Sequence, residues 1–282
     1  SNAVMMTGVT IGPCAHVREG TLIEEQVTCA HSAGLKQTVL MPYVTLGSLI
    51  NFCDCLMAGG TNRKNHSEVG SSYVHFNYTP YQDKAAPSLI GDVPRGVMLD
   101  RAPIFLGGQG GLVGPARIEY GTVIAAGTIC RKDITEENLI VFGSSARAFG
   151  EVGFERFIRG DISRILANNF MYIGNLHALH HWYANIRSLF IRNRFDRYCH
   201  DGAINILNRM LNERVKRMAE LADNLKLAFE AAKKKYGRKL PRQPFDKQKK
   251  FTETWHKRAK ELEFRKTENC VPTLKKAFLA GI

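Results

Sequence analysis

From Ile11 onward every sixth residue is aliphatic or soft: Ile11, Val17, Ile23, Cys29, Leu35 and Met41. Four places after each stands a small or β-branched residue: Ala15, Thr21, Val27, Ala33, Val39 and Thr45. A period of six matches no helical face. It is the repeat of a parallel β-helix, in which each six-residue unit makes one flat face. Three units close a triangular coil of about 18 residues, and coils stack ~4.8 Å apart. The register returns as Leu106, Leu112, Ile118 and Ile124, with Gly110, Ala116, Thr122 and Thr128 at the small positions. The expected fold is therefore a β-solenoid over residues 4–149. It breaks twice, between Gly59 and Val69 around Thr61-Asn62-Arg63-Lys64-Asn65-His66, and between Ile90 and Ile104 around Pro94-Arg95-Gly96. Insertions in a solenoid leave as loops on one face, and that face is often where ligands bind.

After Gly150 the pattern becomes helical. An aromatic- and Arg-rich stretch runs from about Phe154 to Tyr198. Ile204, Leu207, Leu211, Val215, Met218, Ala222, Leu225, Phe229 and Ala232 then follow a 3–4 spacing that predicts one long amphipathic helix. Gly237 and the Pro241–Pro244 segment end it, and a short helix or two is expected from Asp246. Residues 150–282 are thus read as an all-α region.

Charge divides the chain at the same place. Residues 1–150 carry 11 Lys+Arg against 12 Asp+Glu, and residues 151–282 carry 28 against 14, so the whole net charge of +13 comes from the helical region. Such charge attracts phosphate backbones. A basic amphipathic helix packing within its own oligomer is the plainer explanation, and nucleic acid is not expected as a partner. No apolar run approaches the ~18 residues of a membrane span, so no membrane is expected either. The seven cysteines (14, 29, 53, 55, 130, 199 and 270) show no CxxC pair, and Cys53-Asp54-Cys55 is too tight for a structural zinc site. Reduced thiols in a cytoplasmic protein are expected. His177, His180 and His181 lie at helical-turn spacing but among aromatics, which points to packing rather than a metal. Ser1-Asn2-Ala3 reads as the remnant of an expression tag and Val4 is no initiator, so the natural chain is expected to extend further N-terminally.

Arg18 and Lys36 stand one full coil apart, each just after an inward aliphatic residue. In a regular coil they stack ~5 Å apart with no carboxylate in their column. They are either two solvated surface charges or an anion site, where a phosphate removes their repulsion.

At these residues the chain resembles the acetyltransferase domain of the bifunctional bacterial enzymes that acetylate glucosamine-1-phosphate and then make UDP-N-acetylglucosamine. The resemblance runs without a gap from Thr10-Ile11-Gly12-Pro13 through Val17-Arg18, Leu35-Lys36 and Leu46-Gly47 to Asp54. It continues in Val69-Gly70-Ser71-Ser72, Phe76-Asn77-Tyr78 and Ile90-Gly91-Asp92, then from Ile104-Phe105-Leu106-Gly107 to Ala125-Ala126-Gly127-Thr128 and Asp133-Ile134. It covers none of the helical region. It implies a left-handed coil, a homotrimer, acetyl-coenzyme A as acyl donor, and an amino sugar carrying a phosphate or nucleotide as acceptor. Carried over, Arg18 and Lys36 hold the sugar phosphate, Asn77 and Tyr78 contact the acceptor sugar, and Lys84 lies close to a further phosphate-binding lysine. Ala126 matches a position whose backbone meets the cofactor, and Gly108 stands where the family has a cofactor-contacting serine.

Other departures matter as much. The family's catalytic histidine is Ser48 here, a tyrosine three residues later is Asn51, and a ligand-contacting asparagine is Glu68. Serine cannot replace imidazole as a base near neutral pH without an activating partner. His66, in the inserted loop beside Arg63 and Lys64, is the expected base. His75 falls at an inward position and is expected to be interior. The expected function is coenzyme A-dependent acyl transfer to a phosphorylated or nucleotide-linked amino sugar. The alternative is a non-catalytic sugar-phosphate or sugar-nucleotide binding module, a remnant of a nucleotidyltransferase-fused protein.

Overall fold

The computed structural model describes residues 3–75, 87–143 and 162–237, with 250, 253 and 254. Its strands pair in parallel in two sheets, one of ten strands and one of seven. They fall into three columns. The first runs Thr10–Ile11, Thr28–Cys29, Thr45–Leu46, Glu68–Val69, Phe105–Leu106, Val123–Ile124 and Ile140–Val141. The second joins His16–Val17 to Gly34 and Leu35, Asn51 and Phe52, Tyr73–His75, Gly111–Val113 and Ile129–Cys130. The third joins Ala3–Met5, Thr21–Ile23, the ends of Gly34–Leu40 and Asn51–Met57, Ser88–Ile90 and Arg117–Ile118. The strands Gly34–Leu40 and Asn51–Met57 bend from the second column into the third, which is why the two columns share one sheet.

The register explains both the expected pattern and its failure. Thr10 pairs with Thr28 and His16 with Gly34, each partner lying three full hexapeptides further on. Ile23, however, pairs with Leu40, one position short of that interval, so Leu40 takes the place in the column expected of Met41, and both are fully buried. The corner after Val17 is made by Arg18-Glu19-Gly20, whereas the corner after Leu35 has only Lys36-Gln37 before Thr38. Gln37 turns it alone, at φ 49°. The later register holds as expected, with Leu106, Leu112, Ile118 and Ile124 buried. Together with Ile23, Leu35, Leu40, Leu46, Phe52, Leu56 and Val69 they form one apolar core. Each such buried aliphatic side chain contributes about 1.5–3 kcal/mol. Glycine is required where circuits stack most closely. A Cβ on Gly12 would lie 2.8 Å from His31 N, and one on Gly70 2.6 Å from Gly108 N.

The second register break holds a short helix, α1 (Val93–Gly96), capped by Asp92, whose Oδ1 accepts from Arg95 N at 2.9 Å. Arg95 Nε donates to Asp92 Oδ2 and its Nη1 to Glu137 Oε1, each at 2.6 Å, while Nη2 reaches Glu119. The guanidinium also lies 4.9 Å from the centre of the Tyr120 ring. This insertion docks the following helix. Val93 N donates to Asn175 Oδ1 at 2.7 Å, on the following helix α2 (Ser163–Asn185). Tyr172, Leu176, Leu179 and Tyr183, at helical-turn spacing, are the buried side of α2.

A 3₁₀ turn, Arg187–Phe190, leads to the long helix α3 (Arg194–Tyr236). Asn193 Oδ1 caps it by accepting from Asp196 N at 2.9 Å, and Asp196 Oδ2 accepts from Arg192 N, just before the cap, at 3.0 Å. Gly237, at φ 52°, closes the helix where expected. Of the nine expected seam residues, Leu207, Met218, Ala222, Leu225 and Ala232 are buried and the other four half-buried. The stripe is wider than the seam, since Ala203, Ile206, Met210, Leu221 and Ala228 are buried too, with Arg214 among them at 2 % exposure. No described helix is long and apolar enough to cross a membrane. The chain divides into two compact units, Ser1–Phe154 with Ser163–Leu211, and Glu155–Ile162 with Asn212–Ile282.

Candidate functional site

Three columns leave three corners, and each carries its own chemistry. Between the second and third columns stand Arg18 and Lys36, following the paired Val17 and Leu35. The carboxylate thought absent is Glu19. It bridges both cations, 3.1 Å from Lys36 Nζ and 3.8 Å from Arg18 Nη2. The Arg18 and Glu19 side chains are both about half-exposed at this corner, so the adjacent carboxylate reaches the same edge. Its own backbone N–H first, and the Lys36 side chain next, hold the Glu19 carboxyl below the ordinary value. Cys53 pairs with Lys36 on the next circuit, and burial, with Asp54 adding to it, pushes its thiol up.

His66 lies at a different corner, between the third and first columns. Its loop is built by Asn62, whose Oδ1 accepts from Lys64 N at 2.8 Å and Asn65 N at 3.2 Å, forming an Asx turn. Arg63 ties the loop down, donating to Gln26 O at 2.5 Å and Thr45 Oγ1 at 2.6 Å. His66 Nδ1 is 3.0 Å from Arg63 O and Nε2 is 3.3 Å from Glu68 Oε2, so both ring nitrogens are engaged.

The remaining corner, between the first and second columns, carries Gly108 and Ala126. Gly127 N donates to Gly108 O at 2.9 Å. On earlier circuits of that corner Ser48 Oγ lies 2.8 Å from His31 Nδ1. The sequence reading missed His31. The signal available was its spacing from Ser48, which equals the shortened circuit of this part of the chain. Asn77, Tyr78 and Lys84 lie outside the described residues, as does the side chain of His75. Arg18 and Lys36 are therefore brought together, whereas His66 and the Gly108–Ala126 pair stand at the other two corners.

A cavity of about 570 Å³, lined among others by Met6, Glu24, Met41, Trp182, Tyr183 and Arg187, has no counterpart in the sequence expectations. In its wall Glu24, 2 % exposed, bonds to the Tyr183 hydroxyl, and Arg187 pairs with Glu25. Burial pushes the Glu24 carboxyl up to about 7. Burial lowers all three of His177, His180 and His181. Among the described residues no three His, Cys, Asp or Glu side chains are placed to hold a metal.

The fold is one of parallel strands in two sheets, recurring once per circuit, followed by a helical region. Comparison with known proteins is more particular. The chain is similar to proteins named bifunctional protein GlmU. It is 28% identical over 130 residues to that of Buchnera aphidicola subsp. Baizongia pistaciae, covering 46% of this chain and 25% of the relative. It is 25% identical over 154 residues to that of Baumannia cicadellinicola subsp. Homalodisca coagulata, covering 55% and 29%. It is 27% identical over 137 residues to that of Acinetobacter baumannii strain AYE, covering 49% and 26%. The resemblance to the bifunctional enzymes expected from the motifs is thus found, over about half of this chain and about a quarter of each relative. No protein-family model matches the chain.

Proposed function

We propose that residues 4–149 form a left-handed parallel β-helix of hexapeptide repeats acting as a coenzyme A-dependent acyltransferase, with residues 150–282 a basic helical region. The acceptor is an amino sugar carrying a phosphate or a nucleotide, in the chemistry of UDP-N-acetylglucosamine biosynthesis, and acetyl-coenzyme A is the donor. Arg18, Lys36 and Lys84 hold the acceptor's phosphate, Asn77 and Tyr78 orient its sugar, and the backbone at Gly108 and Ala126 receives the thioester arm. His66 is retained as a candidate base. The protein works in the cytoplasm as a homotrimer, without membrane or nucleic acid. Groups on different corners of one chain meet only when a second copy brings its corner to the first, and this supports the oligomer.

The observation that carries the reading is the pairing of Val17 with Leu35, which puts Arg18 and Lys36 side by side. Two cations sharing the single Glu19 carboxylate suit a dianionic phosphate. Thermal unfolding with acetyl-coenzyme A, glucosamine-1-phosphate and UDP-N-acetylglucosamine as separate additives tests it. Stabilisation by the donor and by a sugar ligand is expected, with the sugar's effect reduced in Arg18→Ala and Lys36→Ala. Stabilisation by the sugar alone favours the binding module, the reading that Ser48 in place of a histidine supports. Stabilisation by neither refutes both.

A further inference from the structure

Ser48 and His31 sit on consecutive circuits of one corner, and their backbones are locked together. Leu49 N donates to His31 O at 3.1 Å, and Ala30 N to Leu46 O at 2.9 Å. Gly12, from the circuit before, stacks so closely that a Cβ there would meet His31 N at 2.8 Å, leaving the His31 backbone little room to move. On this frame Ser48 Oγ stands 2.8 Å from His31 Nδ1. His31 is exposed and Ser48 half-buried, so the pair is open to a ligand. The edge continues through Ser71, Gly108 and Ala126, none larger than serine, so a chain-like ligand could lie along it. No described acid engages His31, unlike His66, whose two ring nitrogens are both occupied.

A hydroxyl bonded to a neutral imidazole is the arrangement that activates a serine as a nucleophile. We propose that Ser48 and His31 are a nucleophile–base pair that accepts an acyl group from an activated ester or thioester. In the Nε2–H tautomer His31 Nδ1 takes the hydroxyl proton as Ser48 Oγ attacks the acyl carbonyl carbon. The Oγ–C bond forms, the bond from carbon to the leaving sulfur or oxygen breaks, and His31 returns the proton to the leaving group. An amine, hydroxyl or water then attacks the Ser48 ester. His31 takes that attacker's proton and delivers it to Ser48 Oγ, which restores the pair. No oxidant or reductant enters. The natural donor, a coenzyme A thioester, rests on the function proposed above, whereas the pair itself does not.

The test therefore uses an ester that needs no binding site for coenzyme A. The full chain is incubated with p-nitrophenyl acetate, and the acetyl group is located by peptide mass spectrometry. Acetylation of Ser48 is expected, at least ten times faster than in His31→Asn, which removes the base but keeps a polar side chain. Ser48→Ala should carry no label at that peptide, and unchanged circular dichroism and melting temperature establish that each variant is folded. Wild-type protein without label at Ser48, or label in His31→Asn at the wild-type rate, overturns the pair. Labelled Ser48 without stabilisation by acetyl-coenzyme A keeps the pair and removes the acyltransferase reading. Stabilisation by acetyl-coenzyme A and sugar phosphate without label removes the pair alone.

Discussion

Glu24→Gln isolates a single buried proton. Glu24 is 2 % exposed, bonded to the Tyr183 hydroxyl, with Arg187 Nη1 3.9 Å away and Glu25 beside it. Burial, and then the charge of Glu25, move its carboxyl from the ordinary 4.5 up to about 7, although Arg187 and Tyr183 pull the other way. At about 1.4 kcal/mol per pH unit, this difference amounts to about 3 kcal/mol. The sign follows from which state holds the proton. Below pH 4.5 folded and unfolded chains both keep it, and the contribution is complete. Between 4.5 and about 7 only the folded chain keeps it, so stability falls as pH rises, and above about 7 the loss is complete. The glutamine that replaces it is neutral at every pH, and its carbonyl still accepts from Tyr183. Urea unfolding followed by tryptophan fluorescence suits the site, because Trp182 lines the same cavity as Glu24. The stability difference between variant and wild type should shift by about 3 kcal/mol in favour of the variant from about pH 4.5 to 7.5. Parallel stability curves for the two proteins would refute the reasoning.

Arg95→Ala leaves Asp92, Glu119 and Glu137 facing one another without their shared cation. A loss of about 3 kcal/mol in urea unfolding is expected, and Arg95→Lys should recover less than half, since an ammonium lacks the fork that reaches three carboxylates. Gly70→Ala puts a Cβ 2.6 Å from Gly108 N and should destabilise by about 1–3 kcal/mol. Gly174→Ala, in helix α2 with open space around it, should instead raise the melting temperature, by about 1 kcal/mol of stability. Glu19→Gln removes the carboxylate that competes for Arg18 and Lys36. Calorimetric titration with glucosamine-1-phosphate should then show tighter binding than wild type, and weaker binding would contradict the proposed phosphate site.

The strand columns were legible because the core uses one inward residue per hexapeptide. Ile23, Cys29 and Leu35 are buried, as are Leu106, Leu112, Ile118 and Ile124. The slip at Met41 was not legible, because it depends on Gln37 turning a corner alone, a matter of backbone angle rather than hydropathy. The same slip hid His31 from view. A search at full three-hexapeptide intervals pairs Ser48 with Ala30, whereas the circuit shortened by one position pairs it with His31. Glu19 was overlooked for a different reason, since neighbours alternate within a strand but share a side at a corner. The break around Pro94-Arg95-Gly96 was visible, but its bond from Val93 to the distant Asn175 has no local signature. Arg214 shows the limit of reading a seam by hydropathy, because a charged residue lies within the buried stripe itself.

Corner residues are freer to vary than residues of the columns. A strand residue either points into the apolar core or takes part in a ladder whose register ties it to the circuits on both sides. Changing it disturbs several circuits at once. A corner residue answers only to the residues above and below it on the same edge, as Ser48 does to His31 and Lys36 to Arg18. A change at position 48 therefore alters one edge without altering the core, and a base for Ser48 has to reach that edge. His31 meets that requirement within one chain. His66, at another corner, meets it only by way of a second copy. The variants His31→Asn and His66→Ala separate the two cases. Acetylation of Ser48 from p-nitrophenyl acetate should slow at least tenfold in His31→Asn and stay at the wild-type rate in His66→Ala if the pair works within one chain, and the reverse pattern would assign the base to His66.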